Sequence, residues 1–317
     1  MVRPMTLLRL LRLVLRGAAV VAAVAGIAMA VAWGVGRVLI ARAEPDGVTT
    51  LPDGVPGRLV AVDGRAVHVV EAGDGPAVLL VPDLGRDARD WAPIAGRLAA
   101  DHRVVAVDLL GSGWSARDPD LPYGLALWAD QLGATLRALG LARATFVGHG
   151  AGAAAATLLA RGHPGHVERL VLVAPLVGPL DATTRLDART VLATPGAGEL
   201  ALGLLGRLPA LPGFPSLPDD PRADPAWRVR GTRDAVLRAV RHGLDPAAVD
   251  DALAGLSVPT LLVLGTDDAV VPYPAQRRAA LRVPDALVLP LDGVGHDVAR
   301  EAPERLLDAL RTPPPAA

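Results

Sequence analysis

Five short stretches bring together side chains that could do chemistry. They are Val81-Pro82-Asp83-Leu84-Gly85, Asp108-Leu109-Leu110-Gly111-Ser112-Gly113-Trp114-Ser115, Gly148-His149-Gly150-Ala151-Gly152, Gly265-Thr266-Asp267-Asp268 and Gly293-Val294-Gly295-His296. A histidine near carboxylates is the equipment of general acid–base catalysis, with the acid orienting the imidazole. The choice of nucleophile is narrow. Cysteine is absent, which removes thiolates, disulfides and thiolate metal sites together. Serine occurs only at 112, 115, 216 and 257. His163 and His166 lie three apart without a companion carboxylate of obvious geometry, so no metal is expected there. Gly111-Ser112-Gly113 lacks the lysine context of a phosphate loop. Neither a metal nor an organic cofactor is expected.

These stretches sit in a regular frame. Apolar runs at 58–62, 66–71, 77–81, 104–107, 144–147, 170–174, 260–264 and 286–289 read as strands, and the first two are joined by an Asp63-Gly64 hairpin signal. Patterns at 90–100, 125–139, 151–161 and 303–310 read as helices. Strands alternating with helices imply a mostly parallel, doubly wound α/β sheet, and ligands in such sheets sit beyond the carboxyl ends of the strands. Four of the five stretches follow a strand in that way. The rhythm breaks between 180 and 255, where prolines recur at 209, 212, 215, 218, 221 and 225 among apolar helical patterns near 200–208 and 236–244. That block reads as a helical lid inserted into a domain spanning 58–311. A linker at 44–57 precedes the domain, and a tail at 312–317 follows it.

The first 43 residues form a separate object. Gly17 to Gly36 run without a charge, about 30 Å as a helix, which is enough to cross a bilayer core. Arg3, Arg9, Arg12 and Arg16 precede this run with no acid among them. A single-pass signal anchor with a cytoplasmic N-terminus and an extracytoplasmic domain is expected. The alternatives are a signal peptide cleaved at Ala28-Met29-Ala30 or Ala41-Arg42-Ala43, leaving a secreted domain, and an apolar helix docked on the domain. The chain is 51% hydrophobic with a net charge of −1, so it has no basic excess for nucleic acid. All 32 basic residues are Arg and Asn is absent, a compositional bias that gives Arg no special weight as a phosphate reader.

The order of motifs over about 58–310 resembles the α/β-hydrolase fold family. That order is strand, oxyanion loop, D-x-x-G-x-G-x-S, a G-x-S-x-G-like elbow, lid, G-x-x-D and a late Gly-His. The resemblance implies that His296 is the base and Asp268 its acid, with Asp267 as the rival. It implies an elbow and oxyanion region made by Gly148, His149, Gly150, Ala151, Gly152, Asp83 and Leu84. Two departures stand out. The elbow position that carries the nucleophile in the family is Gly150, which has no side chain to attack with. The oxyanion loop carries Asp83, whose charge would repel an oxyanion unless it turns away, towards solvent, Arg86 or Arg89. The G-x-G-A-G elbow is locally similar to that of the N-myc downstream-regulated proteins, a non-enzymatic group with this fold.

Three functions follow as expectations. The leading one is a membrane-anchored hydrolase-fold protein without the serine nucleophile, either non-catalytic or with altered chemistry, binding a small apolar ligand. The second is an enzyme acting on an ester or similar apolar substrate through His296 and Asp268 with water. The third is a hydrolase with a displaced nucleophile, Ser112 or Ser115. A serine placed at 150 tests whether the rest of the scaffold is intact.

Overall fold

The computed structural model describes residues 7–43, 50–178, 188–204 and 224–312. A long helix, α1 (Leu7–Ala43), comes first. An eight-stranded sheet follows, with β1 (Arg58–Val62), β2 (Arg65–Ala72), β3 (Ala77–Val81), β4 (Arg103–Val107), β5 (Ala144–His149), β6 (Val167–Val173), β7 (Thr260–Gly265) and β8 (Leu287–Leu291). The spatial order is β1-β2-β4-β3-β5-β6-β7-β8. The β1–β2 and β2–β4 pairs are antiparallel, and every other neighbouring pair is parallel. Hydropathy accounts for the position of the strands. β3 and β7 are continuous apolar runs and lie inside, buried along nearly their whole length. β8 carries Pro290 and is an edge strand, where a missing N–H is tolerated.

Helices α2 (Ala92–Leu98), α3 (Leu125–Ala138), α4 (Gly150–Gly162), α9 (Tyr273–Ala280), α10 (Val298–Glu301) and α11 (Pro303–Arg311) belong to the sheet domain. Between β6 and β7 lie α5 (Ala188–Ala193), α6 (Ala197–Leu204), α7 (Thr232–Arg238), a π-helical turn at Ala239–Gly243 and α8 (Pro246–Ala254). The prolines expected at 209 to 221 and the tail beyond 312 lie outside the described residues. The main departure from the sequence pattern is α9, a short helix whose Tyr-Pro-Ala-Gln-Arg-Arg-Ala-Ala carries no large aliphatic side chain and buries Ala275, Gln276, Ala279 and Ala280.

α4 sets the geometry beneath the site. Its inner face is a run of alanines, Ala151 and Ala153 to Ala156, all essentially inaccessible. Small side chains let the helix approach the sheet closely. A Cβ on Gly152 would lie 2.7 Å from the Val81 carbonyl oxygen, and one on Gly148 would lie 2.5 Å from Ala153 Cα. These two glycines bring β3, β5 and the start of α4 together at the sheet's carboxyl end.

α1 contains a stretch, Leu15–Leu39, long and apolar enough to cross a membrane. Its C-terminal half packs on α6 through small residues. A Cβ on Gly36 would lie 2.6 Å from Leu200 N, and one on Gly196 would lie 2.6 Å from the Met29 carbonyl oxygen. Close backbone approach through glycine is a common way for apolar helices to associate.

Candidate functional site

His296 is held by three elements. The turn after β8 carries it, and Glu301 of α10 fixes that turn by accepting from the backbone N–H of Gly295 at 2.6 Å and of Asp297 at 3.2 Å. His296 Nδ1 lies 2.8 Å from Asp268 Oδ2, on the loop after β7. Asp268 is itself pinned. Its Oδ1 accepts from the backbone of Val270 at 2.7 Å and Val271 at 2.8 Å, and its Oδ2 accepts from Gln276 Nε2 at 2.8 Å. Asp267 is exposed and bonded to Thr266, so the imidazole is oriented by Asp268.

The other face of His296 meets a second carboxylate. Its Nε2 lies 3.2 Å from Asp83 Oδ2. Asp83 Oδ1 accepts from the backbone N–H of Ala151 at 2.6 Å. Asp83, His149, Asp268 and His296 are all buried. Asp83 therefore does not turn away. Arg86 reaches Asp90 and Asp297, and Arg89 reaches Asp87 and Asp224.

Gly150 explains how Asp83 fits. It is the first residue of α4, in the left-handed region at φ +52°. A Cβ built there would overlap Asp83 Cγ and Oδ1 and lie 2.7 Å from Oδ2. The Asp83 carboxylate thus fills the space that a side chain at 150 would need. It takes up the two groups such a side chain would face, the imidazole Nε2 and the N–H of Ala151 in the first turn of the helix.

The charges follow from these contacts. Burial pushes the Asp83 carboxyl up, but the His296 hydrogen bond, the charge on His296 and the Ala151 N–H outweigh it and hold the group well below the usual carboxylate range. Burial pulls His296 down, but Asp268 and Asp83 on either side push it up to about 10. At neutral pH the array is carboxylate, imidazolium, carboxylate. An imidazolium donates from both nitrogens and has no lone pair with which to act as a base. The Ala151 N–H, which would stabilise an oxyanion, is occupied by a carboxylate.

His149 is the residue whose importance the sequence understated. Its ring lies 4.6 Å from that of His296, and its Nε2 is 2.9 Å from the His296 carbonyl oxygen. Burial and the neighbouring His296 charge lower its pKa, so it stays neutral and donates to that carbonyl. Asp83, His149 and His296 each bring a ligand-type atom within 4.8 Å of the others, and among the described residues they form the group that could hold a metal ion. Two of these atoms already pair with each other. Gln276 and Glu301 carried no motif that would have picked them out of the sequence.

The serines of the Asp108 loop serve structure. Asp108 accepts from the backbone of Ala88 and Trp114, each at 2.7 Å, and from His68 Nδ1 at 2.8 Å. Ser115 Oγ donates to the Asp108 carbonyl at 2.8 Å and accepts from His68 N at 3.0 Å. Neither Ser112 nor Ser115 lines the space beside His296. That space measures about 20 Å³, room for roughly one water. Its remaining walls are apolar, from Leu84, Leu176, Val240, Leu244, Val270 and Val271.

The strand order, the sharp β5–α4 turn and the histidine after the last strand define a hydrolase-type α/β protein. The alpha/beta hydrolase family model matches residues 78–309, and the chain belongs to that family. It is 32% identical to "Putative carbamate hydrolase RutD" of Caulobacter sp. (strain K31), over 77% of this chain and 92% of that protein. It is 33% identical to 2-hydroxymuconate semialdehyde hydrolase of Pseudomonas sp. (strain CF600), over 42% of this chain and 48% of that one. Among solved structures, a bacterial membrane phospholipase A matches with TM-score 0.60 and 23% identity, over 95% of this chain and 96% of that chain. Coverage that high takes in part of α1.

Proposed function

We propose that this protein is a membrane-anchored member of the hydrolase fold that has given up serine chemistry and holds a small apolar ligand against an Asp83–His296–Asp268 array. The observation that carries this reading is the pairing of Gly150 with Asp83. The elbow has no nucleophile, and a carboxylate stands in its space and on its oxyanion donor. The apolar walls suit an alkyl group rather than a charged one. The block between β6 and β7 acts as a lid, since Val240 and Leu244 of that block roof the space. α1 is the anchor, with the N-terminus cytoplasmic and the domain outside. Its close packing on α6 supports retention over cleavage to a secreted domain.

The test is hydrolysis of a short-chain activated ester, together with labelling by a fluorophosphonate that captures activated serines. The expected result for the full chain in detergent is no His296-dependent turnover and no label. A labelled serine, with turnover that stops in His296→Ala, overturns the reading.

A second reading keeps hydrolysis, with His296 and Asp268 activating water as in a conventional dyad. The 2.8 Å bond between them favours it. The protonated state of His296 between two carboxylates opposes it, because general-base catalysis needs the free lone pair.

A further inference from the structure

We propose that Asp83, His149 and His296 form a binding site for one zinc ion, with a water as its fourth ligand. The proposal rests on the reading above, in which Asp83 takes the elbow space. Each of the three side chains brings a ligand-type atom within 4.8 Å of the other two, and all three are buried. A tetrahedral ion holds nitrogen and oxygen ligands at about 2.0–2.2 Å, which sets those atoms roughly 3.3 Å from one another. His296 Nε2 and Asp83 Oδ2 stand 3.2 Å apart, so one edge of the tetrahedron is already made. The His149 nitrogen completes the face by moving inward by up to about 1.5 Å.

The groups behind the three ligands are those a metal site needs. His296 Nδ1 lies 2.8 Å from Asp268, so a carboxylate fixes the ring and leaves Nε2 for the ion. His149 Nε2 donates to the His296 carbonyl at 2.9 Å, which puts its lone pair on Nδ1. Asp83 Oδ1 is held by the Ala151 N–H at 2.6 Å, which leaves Oδ2 as a single oxygen ligand.

Charge points the same way. Two carboxylates and one imidazolium leave the array negative among apolar walls. A divalent ion takes the place of the proton between Nε2 and Oδ2, that proton departs to solvent, and the array becomes neutral. Two imidazoles and one carboxylate suit zinc, whereas Mg²⁺ and Ca²⁺ favour about six or more oxygens. The space beside His296 is about 20 Å³. It takes the one water that a fourth ligand requires, and nothing larger.

The experiment uses the untagged full chain in detergent, stripped of metal with a chelator. Zinc binding is read by competition with a chromogenic chelator, with Mg²⁺ run in parallel. Wild type is expected to bind one zinc per chain and to ignore Mg²⁺. Asp83→Asn and His149→Gln should each weaken zinc by about 100-fold or more, and Asp268→Asn, which acts only through His296, by about 10–100-fold. His163 and His166, with ring centroids 5.9 Å apart, are the competing pair, and His163→Gln should leave binding unchanged. Where a variant at the site fails to fold, X-ray absorption at the zinc edge of His163→Gln decides, with two imidazoles expected on the ion. Folded wild type that binds no zinc, Mg²⁺ bound as tightly, zinc binding that survives both Asp83→Asn and His149→Gln, binding lost in His163→Gln, or an edge spectrum without two imidazoles each overturns the proposal. The fluorophosphonate assay separates the failures. A labelled serine removes the underlying reading, whereas no serine label and no zinc removes only this inference.

Discussion

Restoring a serine at 150 by itself is expected to damage the protein without reviving it. The new Cβ must displace the Asp83 carboxylate, since it would overlap Cγ and Oδ1. Asp83 then loses its Ala151 N–H and its place beside His296 while still buried. Separating one partner of a buried ion pair costs about 3–5 kcal/mol. The left-handed backbone at φ +52° adds about 1–2 kcal/mol for a residue with a Cβ. At roughly 2–4 °C per kcal/mol for a domain of this size, Tm of Gly150→Ser should fall by roughly 8–28 °C. The double variant Asp83→Gly/Gly150→Ser removes the obstruction. Its serine can reach His296 Nε2, and the Ala151 N–H is free to receive an oxyanion. It should recover part of the lost Tm and hydrolyse a short activated ester about 10²-fold faster than wild type, a gain typical of one positioned base. That gain should vanish on adding His296→Ala. The assays are a thermal melt and a chromogenic ester. If Gly150→Ser alone matches the double variant in both, Asp83 does not occupy the elbow and the argument fails.

Raising the pH should destabilise the wild-type protein. The folded pKa of His296 is pushed up to about 10, so its contribution is complete below the ordinary value of about 6.5 and is lost as pH rises through 10. The groups facing it are Asp268, Asp83 and neutral His149, and Tm between pH 7 and 10 should fall in wild type and stay flatter in His296→Gln. On the acid side the depressed Asp83 works the other way. Its contribution is present above about 3.9 and fades as pH falls towards its folded value, so Asp83→Asn should flatten the acid limb of the same melt series. Ser115→Ala should cost about 1–3 kcal/mol in a denaturant melt, because it strands the buried His68 N–H. Gly36→Leu should separate α1 from α6, since its side chain meets the Glu199–Leu200 backbone, and should lower Tm in a thermal melt of the full chain in detergent.

The sheet was legible because its strands are apolar runs bounded by turn residues, a pattern fixed by burial alone. The stretches at the strand ends were legible for the same reason, since strand order places them on one rim. The direction of Asp83 was not. Whether a residue just past a strand turns in or out depends on the space it finds, and that space exists only because position 150, far along the chain, lacks a side chain. The two anomalies in the sequence are one structural fact. Gln276 was invisible because the buried face of α9 is made of alanines rather than large aliphatic residues and the bond to Asp268 uses a single amide. His149 carried no signal in the sequence beyond its place in the elbow. Only the fold brings the His296 carbonyl against its ring.

The apolar helix α1 and the site share one block of structure. α1 packs on α6, whose buried Glu199 binds Arg241 through both carboxylate oxygens at 2.9 Å. Burial raises the Glu199 carboxyl, but this fork and the Gly196 N–H hold it ionised, below its usual range. Arg241 lies in the π-helical turn, an irregularity often found at functional sites. The residue before it, Val240, and Leu244 just beyond the turn are two walls of the space beside Asp83. A continuous line of packed groups therefore runs from the apolar helix, through a bidentate ion pair, to the roof of the pocket. Opening the roof to a ligand means moving the turn. Moving the turn means breaking a buried charge pair or shifting α6 along α1. Were α1 to sit in a bilayer, as proposed, it would constrain where α6 can go. A soluble domain cut free of α1 would lose that constraint while keeping every residue of the Asp83–His296–Asp268 array.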